Sequence, residues 1–205
     1  ILKDKKAVIF DMDGVLVDFV AGAMDLINEA LDTPEQYQDV PEFIKLQERL
    51  VLEGREHIET MDLEKPEYRG VTAEEVMPEA RAMMKVLIHE AGADWWANLP
   101  WMPGGQKLWQ YIAANHEPLI LTAPMGDCNG CEEGKIRWVE QNLGLTVKEI
   151  TLTDEKFVLA ENNVLIDDFE INTIPWAEHG GLAIKHVDTN VTITEIKEAC
   201  ENAKL

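Results

Sequence analysis

Apolar and polar positions divide the chain into two kinds of segment. Ala7 to Phe10 is a short apolar run without polar alternation, the pattern of a strand buried on both faces of a parallel sheet. The chain then turns helical. Phe19 to Leu31 carries Val20, Ala23, Met24, Ile27 and Leu31 at helical spacing, with Asp18 placed to cap it. Phe43, Leu46, Leu50 and Val51 mark a second helix, while Gly54 to Gly70 is polar and aperiodic. Thr72-Ala-Glu-Glu75 reads as a capping box that opens a helix through Val76, Ala80, Met83, Met84, Leu87 and Ile88, with Gly92 as its stop.

After a hinge-like turn at Pro100, Pro103, Gly104 and Gly105, strands and helices alternate. Leu108 to Ala114 reads as a helix and Pro118 to Thr122 as a buried strand. Gly134 to Leu143 is a helix stopped by Gly144, and Glu149 to Leu152 a short strand. Asn163 to Asp167 is another apolar strand, Ile171 to Glu178 a helix, Leu182 to Lys185 a fifth strand, and Ile193 to Ala203 a closing helix. Such alternation predicts an α/β fold: a doubly wound, Rossmann-like parallel sheet core with a helical cap inserted after the first strand. The predicted core comprises 1–17 and 101–205, and the cap 18–100. An insertion that leaves right after Asp13 should sit above the strand ends, where a lid belongs.

Composition narrows the chemistry. The 205 residues are 46% hydrophobic, enough to bury a core. Lys plus Arg number 18 against 39 Asp plus Glu, a formal charge of −21. That balance opposes a long nucleic acid as partner, because a phosphate backbone calls for basic patches. A small phosphate ester stays compatible, since a metal and one or two lysines neutralise it locally. There are three cysteines. Cys128 and Cys131 form a C-x-x-C pair without the second pair that a zinc site needs, and they read as reduced cytosolic thiols. No apolar run reaches the roughly 20 residues of a membrane span, and no signal peptide is visible. A cytoplasmic location is expected, without a membrane partner, and a homodimer is compatible with the reading.

The strand ends carry the chemistry. The first strand ends on Asp11 and Asp13, followed by Gly14; the second on Thr122; the fourth on Asp167 and Asp168. In an open parallel sheet these ends share one edge, where ligands bind. Four carboxylates gathered there repel one another unless a divalent cation intervenes or their pKa values rise. Oxygen-only ligands favour a hard ion such as Mg²⁺. Lys135, near the start of the helix after the second strand, could reach the same edge and offset a dianionic ligand.

Asp11-x-Asp13-Gly-Val-x-x-Asp, Leu121-Thr122, Lys135 and Asp167-Asp168 resemble the four motifs of the haloacid dehalogenase superfamily of phosphatases. The resemblance runs from about residue 6 to 188. Asp-Met-Asp-Gly-Val-Leu-x-Asp-Phe, Leu-Thr-x-Pro, Gly-Lys-x-Arg-Trp-Val-Glu, Leu-Ile-Asp-Asp, and Trp176 with His179 are similar to the 5′(3′)-deoxyribonucleotidase branch. The resemblance implies Asp11 as nucleophile through an aspartyl-phosphate and Asp13 as general acid and base. It implies Mg²⁺ held by Asp11, the backbone carbonyl of Asp13 and Asp168, with Asp167 close by. Thr122, Ala123 and Lys135 would meet the phosphoryl oxygens, and Lys156 is a further candidate. Phe19, Trp95 and Trp96 match the family's aromatic wall for a nucleobase.

The sequence departs from the pattern in places. Ala123 stands where the family usually has Ser or Asn, Phe169 where it often has Arg, and residues 33–70 align with nothing. The expected activity is Mg²⁺-dependent hydrolysis of nucleoside monophosphates, deoxyribonucleotides foremost. Its rivals are a phosphatase of another small ester such as a sugar phosphate, with the tryptophans as core, and a non-catalytic nucleotide-binding protein of the same fold.

Overall fold

The computed structural model describes residues 7–63, 77–126, 128–145 and 150–201. The chain divides into two compact units. One comprises Ile1–Asp18, Leu99–Met125 and Lys135–Leu205; the other Phe19–Asn98 and Gly126–Gly134.

The first unit is built on a parallel five-stranded sheet in the order β3-β2-β1-β4-β5. Its strands are β1 (Val8–Phe10), β2 (Pro118–Thr122), β3 (Ile150–Leu152), β4 (Val164–Asp167) and β5 (Leu182–Lys185). β1 is central, and the chain winds first to one side of it and then to the other. Successive strand residues point to opposite faces, so both faces of β1 need cover. On one face Ile9 packs with Leu121, Leu165 and Trp176. On the other, the Phe10 ring lies 5.8 Å from Trp109. Helices therefore flank the sheet on both sides, as its continuous apolar strands require.

Helices α1 (Phe19–Asp32), α2 (Pro41–Glu53), α3 (Thr60–Leu63) and α4 (Pro78–Ala97) follow β1 in the chain and make up most of the second unit. Their shared interior includes Ala23, Ile27, Phe43, Leu46, Leu50, Met83 and Leu87. The polar stretch after Gly54 is held by side chains rather than by an apolar stripe. Asn28 exchanges two hydrogen bonds with the Ile58 backbone, and buried Asp62 pairs with Arg55 and caps the Glu59 amide.

Back in the first unit come α5 (Gly105–Asn115), the larger part of α6 (Cys131–Leu143), α7 (Glu170–Glu178) and α8 (Thr189–Glu201). Where the elements differ from the expected ones, local chemistry explains it. Gly92 interrupts α4 instead of ending it: its φ of 62° breaks the helix, and a further turn carries on to Ala97. α8 starts before Ile193 because Asp188 Oδ1 accepts from the Asn190 and Val191 amides and caps it. The Thr72–Glu75 capping box, Val76, Glu149 and Ala203 lie outside the described residues. No helix among the described residues is long and apolar enough to cross a membrane.

Candidate functional site

Sheet register decides which side chains meet. Phe10 lies opposite Ile120 on one neighbour and Ile166 on the other. Asp11 stands one step beyond that row, Asp167 one step beyond Ile166, and Thr122 two beyond Ile120. The Asp11 amide still donates to the Ile166 carbonyl at 2.9 Å, which fixes its height at the edge. The chain then turns tightly, with the Val17 amide donating to the Met12 carbonyl and Gly14 to that of Val17. Gly14 takes φ 81°, in the left-handed region that favours glycine. A Cβ there would also run into the Asp168 carboxylate. Acid and glycine are thus fitted to each other across the edge.

Asp11 Oδ1 accepts from the Met12 amide at 2.8 Å and from Lys156 Nζ at 2.8 Å. Lys156 opens a short 3₁₀ turn, Lys156–Leu159, is 3% exposed, and also bonds Asp167 Oδ2 at 2.7 Å. Burial opposes its charge, but Asp11 and Asp167 outweigh it and raise the lysine pKa. Burial and the Asp11 charge push the Asp167 carboxyl up, against Lys156 and Asn172. Asp168 is pushed up to about 8, first by burial and then by Asp11 and Asp167.

The second lysine is Lys135, just inside α6. Its Nζ donates to Asp13 Oδ2 at 2.6 Å, Thr122 Oγ1 at 2.9 Å and the Ala123 carbonyl at 2.8 Å. Asp13 Oδ1 is buried and has no hydrogen-bond partner among the described residues.

Asp11, Asp167 and Asp168 each offer an oxygen, and these atoms lie within 4.8 Å of one another. Three hard donors around one point fit a Mg²⁺ ion. The raised Asp168 pKa is what such a cluster shows before a cation offsets its charge. The Asp13 carboxylate is outside the group and engaged with Lys135.

The structure brings Asp11, Asp13, Thr122, Ala123, Lys135, Lys156, Asp167 and Asp168 to one edge of the sheet unit. Phe19, Trp95 and Trp96 belong to the helical unit, where they pack on each other. Ring centroids lie 5.6 Å apart for Phe19 with either tryptophan and 4.9 Å for the tryptophan pair. Trp96 is 1% exposed and fills the interior, whereas Trp95 and Phe19 are half-buried. Sequence reasoning missed Asn172, whose amide bonds both oxygens of Asp167 at 3.1 and 3.0 Å. Its place five residues after Asp167, in the first turn of the next helix, is the signal that could have found it.

Among solved structures, the fold is similar to a haloacid dehalogenase-like family hydrolase from Xanthomonas campestris, at TM-score 0.51 and 14% identity, covering 97% of this chain and 93% of that one. A hydrolase from Streptococcus pneumoniae is similar at TM-score 0.50 and 11% identity, covering 96% and 98%. At such identities the likeness speaks for the fold alone. No curated protein matches the sequence. The family model for haloacid dehalogenase-like hydrolases does match, over residues 5–170, from ahead of β1 to just past the acidic pair that ends β4. That span covers most of the chain, and the protein belongs to this family of hydrolytic enzymes.

Proposed function

We propose that the protein is a Mg²⁺-dependent phosphomonoesterase that hydrolyses nucleoside monophosphates, deoxyribonucleotides foremost, through an aspartyl-phosphate on Asp11. The observation that carries the chemistry is the pinned nucleophile. Lys156 and the Met12 amide both hold Asp11 Oδ1, which leaves Oδ2 to attack. The nucleotide specificity rests on the resemblance of the motif set around Asp11, Thr122, Lys135 and Asp167 to the deoxyribonucleotidase branch.

Asp11 Oδ2 attacks phosphorus, the ester P–O bond breaks, and the departing alkoxide takes a proton from Asp13. Asp13 must enter that step protonated. A bound phosphoryl group competes for Lys135, which loosens the lysine's hold on Asp13 Oδ2. Oδ1, buried and without a hydrogen-bond partner among the described residues, is the oxygen suited to carry the proton. In the second half Asp13 takes a proton from water as it attacks phosphorus, the Asp11–phosphate bond breaks, and inorganic phosphate leaves. Thr122 Oγ1 and Lys135 Nζ orient the phosphoryl oxygens, since phosphoryl transfer asks chiefly for positioning and charge neutralisation. Asp11 and Asp168 would hold Mg²⁺, with the Asp13 backbone carbonyl completing the set by resemblance; when bound, the ion offsets the carboxylate and phosphate charge.

The test is phosphate release from a panel of nucleoside 5′- and 3′-monophosphates with Mg²⁺, beside Asp11→Asn. Release from the deoxyribonucleotides that vanishes in the variant is expected. No release above the variant sinks the reading. A sugar-phosphate phosphatase is the second reading, favoured by the burial of Trp96 and its packing with Trp95. Equal rates on nucleotides and simple sugar phosphates would select it.

A further inference from the structure

We propose that Asn172 is a positioning residue that locks Asp167 so that Asp167 holds Lys156 against Asp11. The inference rests on the reading of Asp11 as the reacting group. It starts from the environment of Asp167, which is fully buried and accepts four hydrogen bonds. Oδ1 takes the Phe169 amide at 2.9 Å and Asn172 Nδ2 at 3.1 Å; Oδ2 takes Lys156 Nζ at 2.7 Å and Asn172 Nδ2 at 3.0 Å.

Without Asn172, each Asp167 oxygen keeps one donor, and the carboxylate can rotate about its χ2, a soft torsion. With Asn172 bridging both oxygens, rotation breaks two bonds at once. The orientation of the amide is itself determined. Turned the other way, it would aim a carbonyl oxygen at a carboxylate, acceptor against acceptor. Asn172 is anchored from below, because its backbone amide donates to the Phe169 carbonyl at 3.0 Å in the first turn of α7. A neutral donor is what this place requires. Burial and Asp11 already disfavour the Asp167 charge, and an aspartate here would add a further like charge.

The consequence runs along the chain of contacts. Lys156 Nζ bonds Asp167 Oδ2 and Asp11 Oδ1 at 2.7 and 2.8 Å. If Asp167 turns, the ammonium follows it or loses it, and Asp11 loses one of the two donors that pin Oδ1. Asn172 touches neither Asp11 nor the atoms that react, so its effect belongs to turnover rather than to substrate affinity.

Two variants separate the donor from the bulk: Asn172→Leu keeps the volume and removes the donor, and Asn172→Ala removes both. The readout independent of metal and substrate is the acetylation rate of Lys156 by sulfo-N-hydroxysuccinimide acetate, followed by peptide mass spectrometry in EDTA. Lys135, 1% exposed and held by other partners, is the internal control. Both variants should acetylate Lys156 about 10-fold faster with Lys135 unchanged. With Mg²⁺ and a turned-over substrate, kcat should fall about 10-fold or more while KM stays within about 3-fold. Unchanged Lys156 labelling in the Leu variant overturns the proposal, and so does a rise shared equally by Lys135, which would mark a loosened fold. If the wild type releases phosphate from no nucleotide, the function proposed above fails, yet the labelling contrast still decides the role of Asn172.

Discussion

Two buried ammonium groups stand at the same sheet edge, and their surroundings differ. Lys156 lies between two carboxylates, Asp11 and Asp167, and Asp167 is closed off from water with both oxygens occupied. Among its described partners, Lys135 meets the Asp13 carboxylate, whose side chain is 35% exposed, and the neutral oxygens of Thr122 and Ala123. The first arrangement has no second state to move to, because leaving either partner strands a buried charge. On the function proposed above, the second would trade a partly exposed carboxylate for a phosphoryl oxygen. On that function, the same residue type would serve as a fixed counter-charge in one place and an exchangeable grip in the other.

The strongest way to break this contrast is Lys156→Met. Removing one member of a buried ion pair leaves its partners uncompensated, at a cost of about 3–5 kcal/mol. Here two carboxylates are left facing each other with Asp168 close by. A large drop in the urea midpoint is expected, together with loss of turnover. A midpoint close to that of the wild type would show that Asp11 and Asp167 share a proton without the lysine, and the fixed counter-charge would be gone from the account.

The edge was legible from sequence because each strand there is a short apolar run closed by a polar residue, so the ends of β1, β2 and β4 announced Asp11, Thr122 and Asp167. Lys135 followed from its distance beyond β2. Lys156 has no such mark: its 3₁₀ turn lacks a period, and only the family resemblance pointed to it. Asn172 stands between Ile171 and Thr173, and only its place five residues after Asp167 sets it apart from an ordinary polar helix position. Trp95 and Trp96 could not be told apart, because the positive φ of Gly92 resets the phase of α4, so the apolar stripe of the preceding turns does not carry through to them. The polar run after Gly54 stayed opaque for another reason: hydrogen bonds from Asn28 and Asp62 organise it, and these leave no hydrophobic pattern.

A smaller effect sharpens the Lys156 side of the comparison. With one ammonium among three carboxylates, Asp168 has its pKa raised from 3.8 to about 8, by burial first and by Asp11 and Asp167 next. The folded metal-free protein therefore keeps a proton that the unfolded chain has released. Between about pH 4 and about pH 8 the native state binds more protons than the unfolded state, and stability falls as pH rises. In EDTA the melting temperature should decline from about pH 5 to about pH 8. Mg²⁺ should restore more of it at the upper end, because a cation that binds the ionised cluster stabilises the fold by mass action. A metal-free melting temperature that is flat over this range, or a Mg²⁺ effect equal at both ends, would mean that Asp168 does not sense its two neighbours.

The smallest stability effect belongs to Lys135→Met, and that is what makes it informative. Methionine replaces most of the buried stem, and Asp13, left alone, can turn toward water. Thr122 Oγ1 and the Ala123 carbonyl each lose an ammonium donor, so the loss should be about 1.5–3 kcal/mol, below that of Lys156→Met. Binding should suffer as well. A charge-assisted hydrogen bond to phosphate is worth about 1.5–3 kcal/mol, so KM for a phosphate ester should rise about 10-fold or more. Measured side by side, Lys156→Met should show the larger shift in urea midpoint, and Lys135→Met should shift KM. If Lys135→Met costs as much stability as Lys156→Met and leaves KM untouched, Lys135 is a structural ion-pair partner of Asp13, and the phosphoryl group must be gripped by Thr122 and backbone amides instead.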